Sequence, residues 1–119
     1  MILDVHSYPA EPLPYELHQD DRRPELCIGV DELHTPPALV AAVRAAFDGW
    51  EVEVNQPFRG THVPLRHLGD ARVSSVMLEI RRDRYLDENG TAEDASVRQV
   101  ARSIGALTGL IKRGLDLPS

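Results

Sequence analysis

Four prolines, Pro9, Pro12, Pro14 and Pro24, fall between Ser7 and Pro24. Each lacks a backbone N–H and disfavours helix in the residue before it, so this stretch cannot be helical. A long loop is expected there, and loops of that length inside a compact domain are functional or disordered. Ile2 to His6 is an apolar run with one acid, the pattern of a buried strand, and Leu26 to Val30 reads as a second strand.

Downstream the period changes. Leu39, Val40, Val43 and Phe47 share one face of a helix expected near 36–48, with Thr35 as its cap, Pro36 at its first position and Gly49 closing it. Residues 51–55 alternate as a strand, with Val52 and Val54 on one side. A second loop, from Gln56 to Asp70, carries Pro57, Gly60, Pro64 and Gly69. A strand over 73–80 has Val76-Met77-Leu78 at its centre, which implies burial on both faces. Thr91 and Asp94 offer a capping pair for a helix near 92–113, whose stripe runs Val97, Val100, Ala101, Ile104, Leu107, Leu110 and Ile111. Gly105 and Gly109 allow close packing on that helix, read as helix–sheet packing in preference to a partner site. Strands alternating with helices give an α/β sheet, expected as a single domain over 1–119.

Composition narrows the function classes. Apolar residues make up 42% and charged residues 27% of 119 residues, ordinary for one globular domain. No run approaches the ~20 apolar residues of a membrane span and no secretory leader is visible, so a cytoplasmic protein without membrane contact is expected. The lone Cys27 excludes an internal disulfide framework and a multi-cysteine zinc module. The net charge is −6, and residues 1–34 carry an excess of acids equal to all of it. An acidic chain without a basic stripe is a poor nucleic-acid binder, and no nucleic-acid partner is expected.

Two constellations carry chemistry. In Leu3-Asp4-Val5-His6-Ser7-Tyr8-Pro9 a histidine sits where an apolar strand gives way to loop, the place where open α/β sheets put their sites. Imidazole is a common metal ligand, and Asp4 is a candidate partner that would orient it. The plainer reading is a hydrogen-bonded histidine at a strand end. In Val76-Met77-Leu78-Glu79-Ile80-Arg81-Arg82 a carboxylate emerges from a buried strand, which is unfavourable unless it is paired, protonated or catalytic. Partial burial raises its pKa towards the range of a general base. The plainer reading is an ion pair with Arg72, Arg81 or Arg82.

Together these motifs resemble the zinc carboxypeptidase superfamily, and more closely the N-formylglutamate amidohydrolase family. The matching blocks are Asp4-Val5-His6-Ser7-Tyr8-Pro9, Pro12-Leu13-Pro14-Tyr15-Glu16, Arg23-Pro24, Cys27-Ile28-Gly29, Asp31 with His34-Thr35-Pro36, Asn55 with Pro57-Phe58 and Gly60-Thr61, and Ser75 to Arg82 before Tyr85. They fall in order over about residues 2 to 88. The resemblance implies a partial phosphorylase/hydrolase-like (zinc-carboxypeptidase-like) mixed sheet flanked by helices. It also implies a zinc-dependent hydrolase releasing formate and glutamate from N-formyl-L-glutamate or a related N-acyl amino acid, late in histidine breakdown. His6 would match a zinc ligand and Glu79 the carboxylate that activates water. Arg59, Arg72, Arg81 and Arg82, with Asn55, are candidates to hold the substrate.

Family members are about twice this length, and the chain matches their carboxyl-terminal half. The other zinc ligands, a histidine and a carboxylate, belong to the first half. His18, His34, His62 and His67 show no metal-ligand spacing, and His34 reads as a loop-fixing residue. An unpaired sheet edge is expected, covered by a second copy or by a separate amino-terminal chain. Two readings stay open: part of an enzyme completed from elsewhere, with little activity as an isolated chain, or a catalytically silent remnant or interaction module.

Overall fold

Side-chain alternation along four strands separates an apolar from a polar sheet face, and everything else packs according to that division. The computed structural model describes residues 1–17, 19 and 22–115, so His18 lies outside the described residues. The strands are β1 (Ile2–Tyr8), β2 (Leu26–Gly29), β3 (Val52–Val54) and β4 (Ser75–Arg81); the helices are α1 (Pro37–Ala46) and α2 (Asp94–Lys112). The sheet order is β1-β4-β2-β3, with β1 parallel to β4, β2 antiparallel to β4, and β3 parallel to β2. The mixed sheet flanked by helices is the architecture expected from the sequence.

Leu26, Ile28, Val76, Leu78 and Ile80 point to one face and meet Leu39, Val43 and Phe47 of α1 and Leu107 of α2 in one buried cluster. Both helices therefore cover the same side of the sheet. Asp4, His6, Cys27, Glu53, Met77 and Glu79 alternate with those residues and face the other side, which is overlaid by loop. Burial at Ser75–Leu78 is complete or nearly so, as the sequence pattern implies.

Several local expectations are corrected. β1 reads as a buried strand in sequence, yet among the described residues it pairs only with β4 and lies at an edge of the sheet, leaving Val5 46% exposed. Thr35 does not cap α1. Its hydroxyl accepts the Asp31 N–H and donates to the Ser75 carbonyl, tying the approach loop to β4. Pro36 is the extended residue before the helix, and Pro37 occupies the first turn. α1 ends at Ala46, and Gly49 lies beyond it at φ +83° in the turn into β3. Thr91 belongs to the turn closed by the Leu86–Ala92 bridge, and Glu93 precedes α2 without a side-chain cap. Gly105 faces open space and Gly109 lies under Arg113 of its own helix, so neither provides a packing seam.

Candidate active site

Strand register assembles the site. His6 of β1 lies opposite Glu79 of β4, Glu79 opposite Cys27 of β2, and Cys27 opposite Glu53 of β3, so the four form one row across the polar face. The next row holds Asp4, Met77 and Gly29. Residues i and i+2 of a strand share a face, which puts Asp4 beside His6. The imidazole Nε2 and Asp4 Oδ1 are 2.7 Å apart, and Asp4 Oδ2 accepts the His62 N–H at 3.3 Å. Both strands run two residues past this row, to Tyr8 and Arg81, so His6 and Glu79 sit on the sheet face and not at strand termini.

Glu79 is the unusual group. Its Oε2 is buried and has no hydrogen-bond partner among the described residues, and it forms no ion pair with Arg72, Arg81 or Arg82. Burial pushes its carboxyl above the usual range, with the Asp4 charge adding to this, while His6 and Arg82 pull it down. A half-buried carboxylate with a vacant oxygen and a raised pKa is suited to accept a proton.

The 56–64 loop roofs the polar face, and its attachments are specific. Asn55, at φ +57°, directs Oδ1 to the Val30 and Gly60 N–H groups. Cys27 Sγ lies 3.2 Å from the Phe58 carbonyl. Ser75 Oγ meets Thr61 Oγ1 at 2.7 Å and donates to the His62 carbonyl. Gly29 has no room for a side chain, because a Cβ there would collide with the Gly60 carbonyl oxygen and with Met77. Gly29→Ala is therefore expected to lift the loop from the sheet and destabilise the fold by about 1–3 kcal/mol. A urea midpoint unchanged from wild type would contradict that packing.

Arg23 anchors the first loop. Its side chain is only 2% exposed, pairs with Glu16, donates to the Pro9 carbonyl, and lies over the rings of Tyr8 and Phe58, which meet edge-to-face at 5.4 Å. The Tyr8 hydroxyl donates to the Pro24 carbonyl.

The arginine candidates now separate. Arg72 clamps Asp70 through two hydrogen bonds, holding that carboxyl at about 2. Arg81 bonds Asp83 and the Arg23 carbonyl. Arg82 reaches Ser7 Oγ at 3.2 Å and is close enough to Glu79 to lower its pKa. Arg59 has no hydrogen-bond or ion-pair partner among the described residues, and it stands between Phe58 over Cys27 and Gly60 over Gly29. His34 is a loop-fixing residue, its ring bridging Val73 O and the Gly69 N–H. Sequence reasoning missed Cys27 as a neighbour of Glu79, because only the antiparallel entry of β2 brings them together.

Burial raises the Cys27 pKa, so its thiol should be nearly inert in the native state. Labelling by a disulfide reagent at pH 8 is expected to be at least ~10²-fold slower than in urea. Equal rates would mean that the roof loop does not protect it.

No group of three histidine, cysteine or acidic side chains is arranged to hold a metal ion among the described residues. A catalytic zinc takes about three protein ligands, and the one imidazole in this row already bonds Asp4. The described residues of a single chain do not fit that ion.

The family model for N-formylglutamate amidohydrolase matches residues 1–86. The chain belongs to the N-formylglutamate amidohydrolase family. In fold it is similar to a crystal structure of N-formylglutamate amidohydrolase from Ralstonia eutropha, with a TM-score of 0.71 and 23% identity over 93% of this chain and 42% of that one. A gene product from Agrobacterium tumefaciens gives a TM-score of 0.55 and 24% identity over 92% of this chain and 43% of that one. A comparison with curated proteins gives no match. The chain thus spans about two-fifths of the length of these two structures.

Proposed function

We propose that this chain carries the proton-transfer half of an amide hydrolase acting on N-formyl-L-glutamate or a related N-acyl acidic amino acid. The observation that carries the reading is the Glu79 carboxylate, aligned with His6 and Asp4 and holding a buried, unpartnered oxygen. Glu79 takes a proton from the water whose oxygen bonds to the acyl carbon. It returns that proton to the amide nitrogen as the C–N bond breaks, releasing formate and the free amino acid. Arg59, free of partners among the described residues, has the fork geometry for bidentate binding of a substrate carboxylate, though its side chain lines grooves shared with α1 and with Tyr15–Leu17 and not the Glu79 row. Zinc would polarise the carbonyl in a completed site, and the ligands beyond His6 would come from outside this single chain.

The second reading is a silent remnant or interaction module, favoured by the lack of a three-ligand group among the described residues. Formate release from N-formyl-L-glutamate with added zinc separates the two. Little or no turnover is expected from the chain alone, and turnover is expected once a separate amino-terminal polypeptide of the family, carrying the other zinc ligands, is supplied with it. No formate from that mixture would overturn the hydrolase reading.

A further inference from the structure

β2, α1 and β3 form a crossover in which two parallel neighbouring strands are joined through a helix. Ligands of α/β sheets bind outside the carboxyl ends of such strands. Here those ends, Val30 after β2 and Asn55 after β3, open into a groove of about 960 Å³. Its lining residues all fall between Val30 and Gly60, so one continuous stretch of chain builds every wall. Val30, Val40 and Val54, which extend the core outward, form an apolar floor. β4 runs against β2, so the groove opens at the sheet end away from Tyr8 and Arg81, and neither His6 nor Glu79 lines it.

The polar groups around that floor are uncommitted. In a chain of net charge −6, Arg22, Arg23, Arg72, Arg81 and Arg84 are all held in ion pairs. Arg44 of α1 and Arg59 of the loop after β3 have no hydrogen-bond or ion-pair partner among the described residues, and both line the groove. Asn55 adds two donors. Its Oδ1 accepts the Val30 and Gly60 N–H groups, which fixes the orientation of the amide and leaves the NH2 without a partner among the described residues. Of the two acids on the lining, Asp31 is committed, with Oδ1 accepting the Leu33 and His34 N–H groups. Glu32 is exposed and has no partner among the described residues. Two guanidiniums, an amide NH2 and one available carboxylate complement a short molecule that carries two carboxylates and one ammonium.

We infer that this groove binds a free acidic α-amino acid, with Arg44 and Arg59 on its carboxylates and Glu32 on its ammonium, at a site separate from the Glu79 row. An N-acyl amino acid has no ammonium to offer Glu32, so the groove distinguishes the free acid from its acylated form. The site stands without the hydrolase reading, whereas a role in sensing the product of that reaction rests on it. Calorimetric titration of the 119-residue chain with L-glutamate should show saturable binding of one equivalent. Glutarate, which keeps both carboxylates and lacks the ammonium, and N-formyl-L-glutamate should each bind about 10-fold more weakly, the effect of losing one charge-assisted contact. Arg44→Gln and Arg59→Gln should each weaken L-glutamate by about 10-fold or more for the same reason. Glu32→Gln should bring L-glutamate down to the affinity of glutarate and leave glutarate unchanged. Glu79→Gln should alter none of these affinities. Arg44, Arg59 and Glu32 are exposed and unpartnered among the described residues, so their variants should keep the native circular dichroism, which separates lost binding from lost folding.

No saturable binding of L-glutamate, an affinity indifferent to both arginine variants, or glutarate bound as tightly as L-glutamate would overturn the site. Inorganic phosphate bound as tightly as L-glutamate would make the groove an unselective cationic patch and overturn it as well. Weakening by Glu79→Gln would put the ligand in the catalytic row and overturn a separate site. These readouts are affinities of the chain for unreacting ligands, so they fail separately from formate release.

Discussion

Glu79→Gln is expected to reduce formate release by about 10²–10⁴-fold, the usual contribution of a positioned general base. The substitution keeps the shape of the side chain and removes its ability to accept a proton. It should also make the fold more stable at neutral pH. Burial raises the Glu79 pKa in the folded chain, so the folded state favours its protonated form. The stability this group contributes is full below its unfolded pKa and is lost as pH rises through the higher folded value. Once ionised, Glu79 is a half-buried charge with an unpartnered oxygen, which glutamine never is. Urea midpoints should therefore favour Glu79→Gln at pH 7 and converge with wild type below about pH 4, under the ordinary glutamate value. A variant that loses activity and stability together would make Glu79 a structural residue. One that keeps turnover would remove it from the mechanism.

Arg23→Met should cause the largest loss of stability among single changes at the polar face, about 3–5 kcal/mol, as expected when one partner of a buried ion pair is removed. The methionine occupies similar length without charge. Glu16, itself only 13% exposed, loses its cation; the Pro9 carbonyl loses a donor; and the rings of Tyr8 and Phe58 lose the group that lies over both. Arg23→Lys should recover only part of this, because an ammonium has no planar face to set against the rings and no second fork to span Glu16 and Pro9. Denaturant titration of both variants checks the order. A lysine variant as stable as wild type would show that charge alone holds the first loop.

The parts of this molecule that were legible in sequence are those with a strong period. Val76-Met77-Leu78 implied a strand buried on both sides, and the helical stripe to Ile111 marked α2. The alternation that separates Asp4 and His6 from Leu3 and Val5 placed the site residues on one face once β1 and β4 paired. What stayed hidden depends on neighbours distant in sequence. Nothing in Leu26–Gly29 says that this strand runs against β4, and that direction is what puts Cys27 beside Glu79. The exposure of Val5 follows from which strand lies next to β1 and not from its own residues. Thr35 has the chemistry of a cap, but the Ser75 carbonyl forty residues away is the acceptor it meets. Among the arginines, composition could not rank Arg59 above Arg72, since only the fold shows that Asp70 already holds the latter.

The pairing of β1 with β4 joins Ile2 to Ser75 and Tyr8 to Arg81, segments separated by nearly two-thirds of the chain. That separation has a consequence in time. Closing so long a loop requires an entropy loss that local contacts do not offset, so such strands join late in folding. On a ribosome, β1 emerges long before β4 and waits without that strand neighbour until β4 has been synthesised. During that interval an apolar, unpaired segment is available to other nascent chains, and the proline-rich stretch behind it cannot extend it into a longer strand or fold it back as a helix. The row that aligns His6 with Glu79 is therefore among the last features of the molecule to exist, and its amides should be among the last to gain protection in pulsed hydrogen exchange.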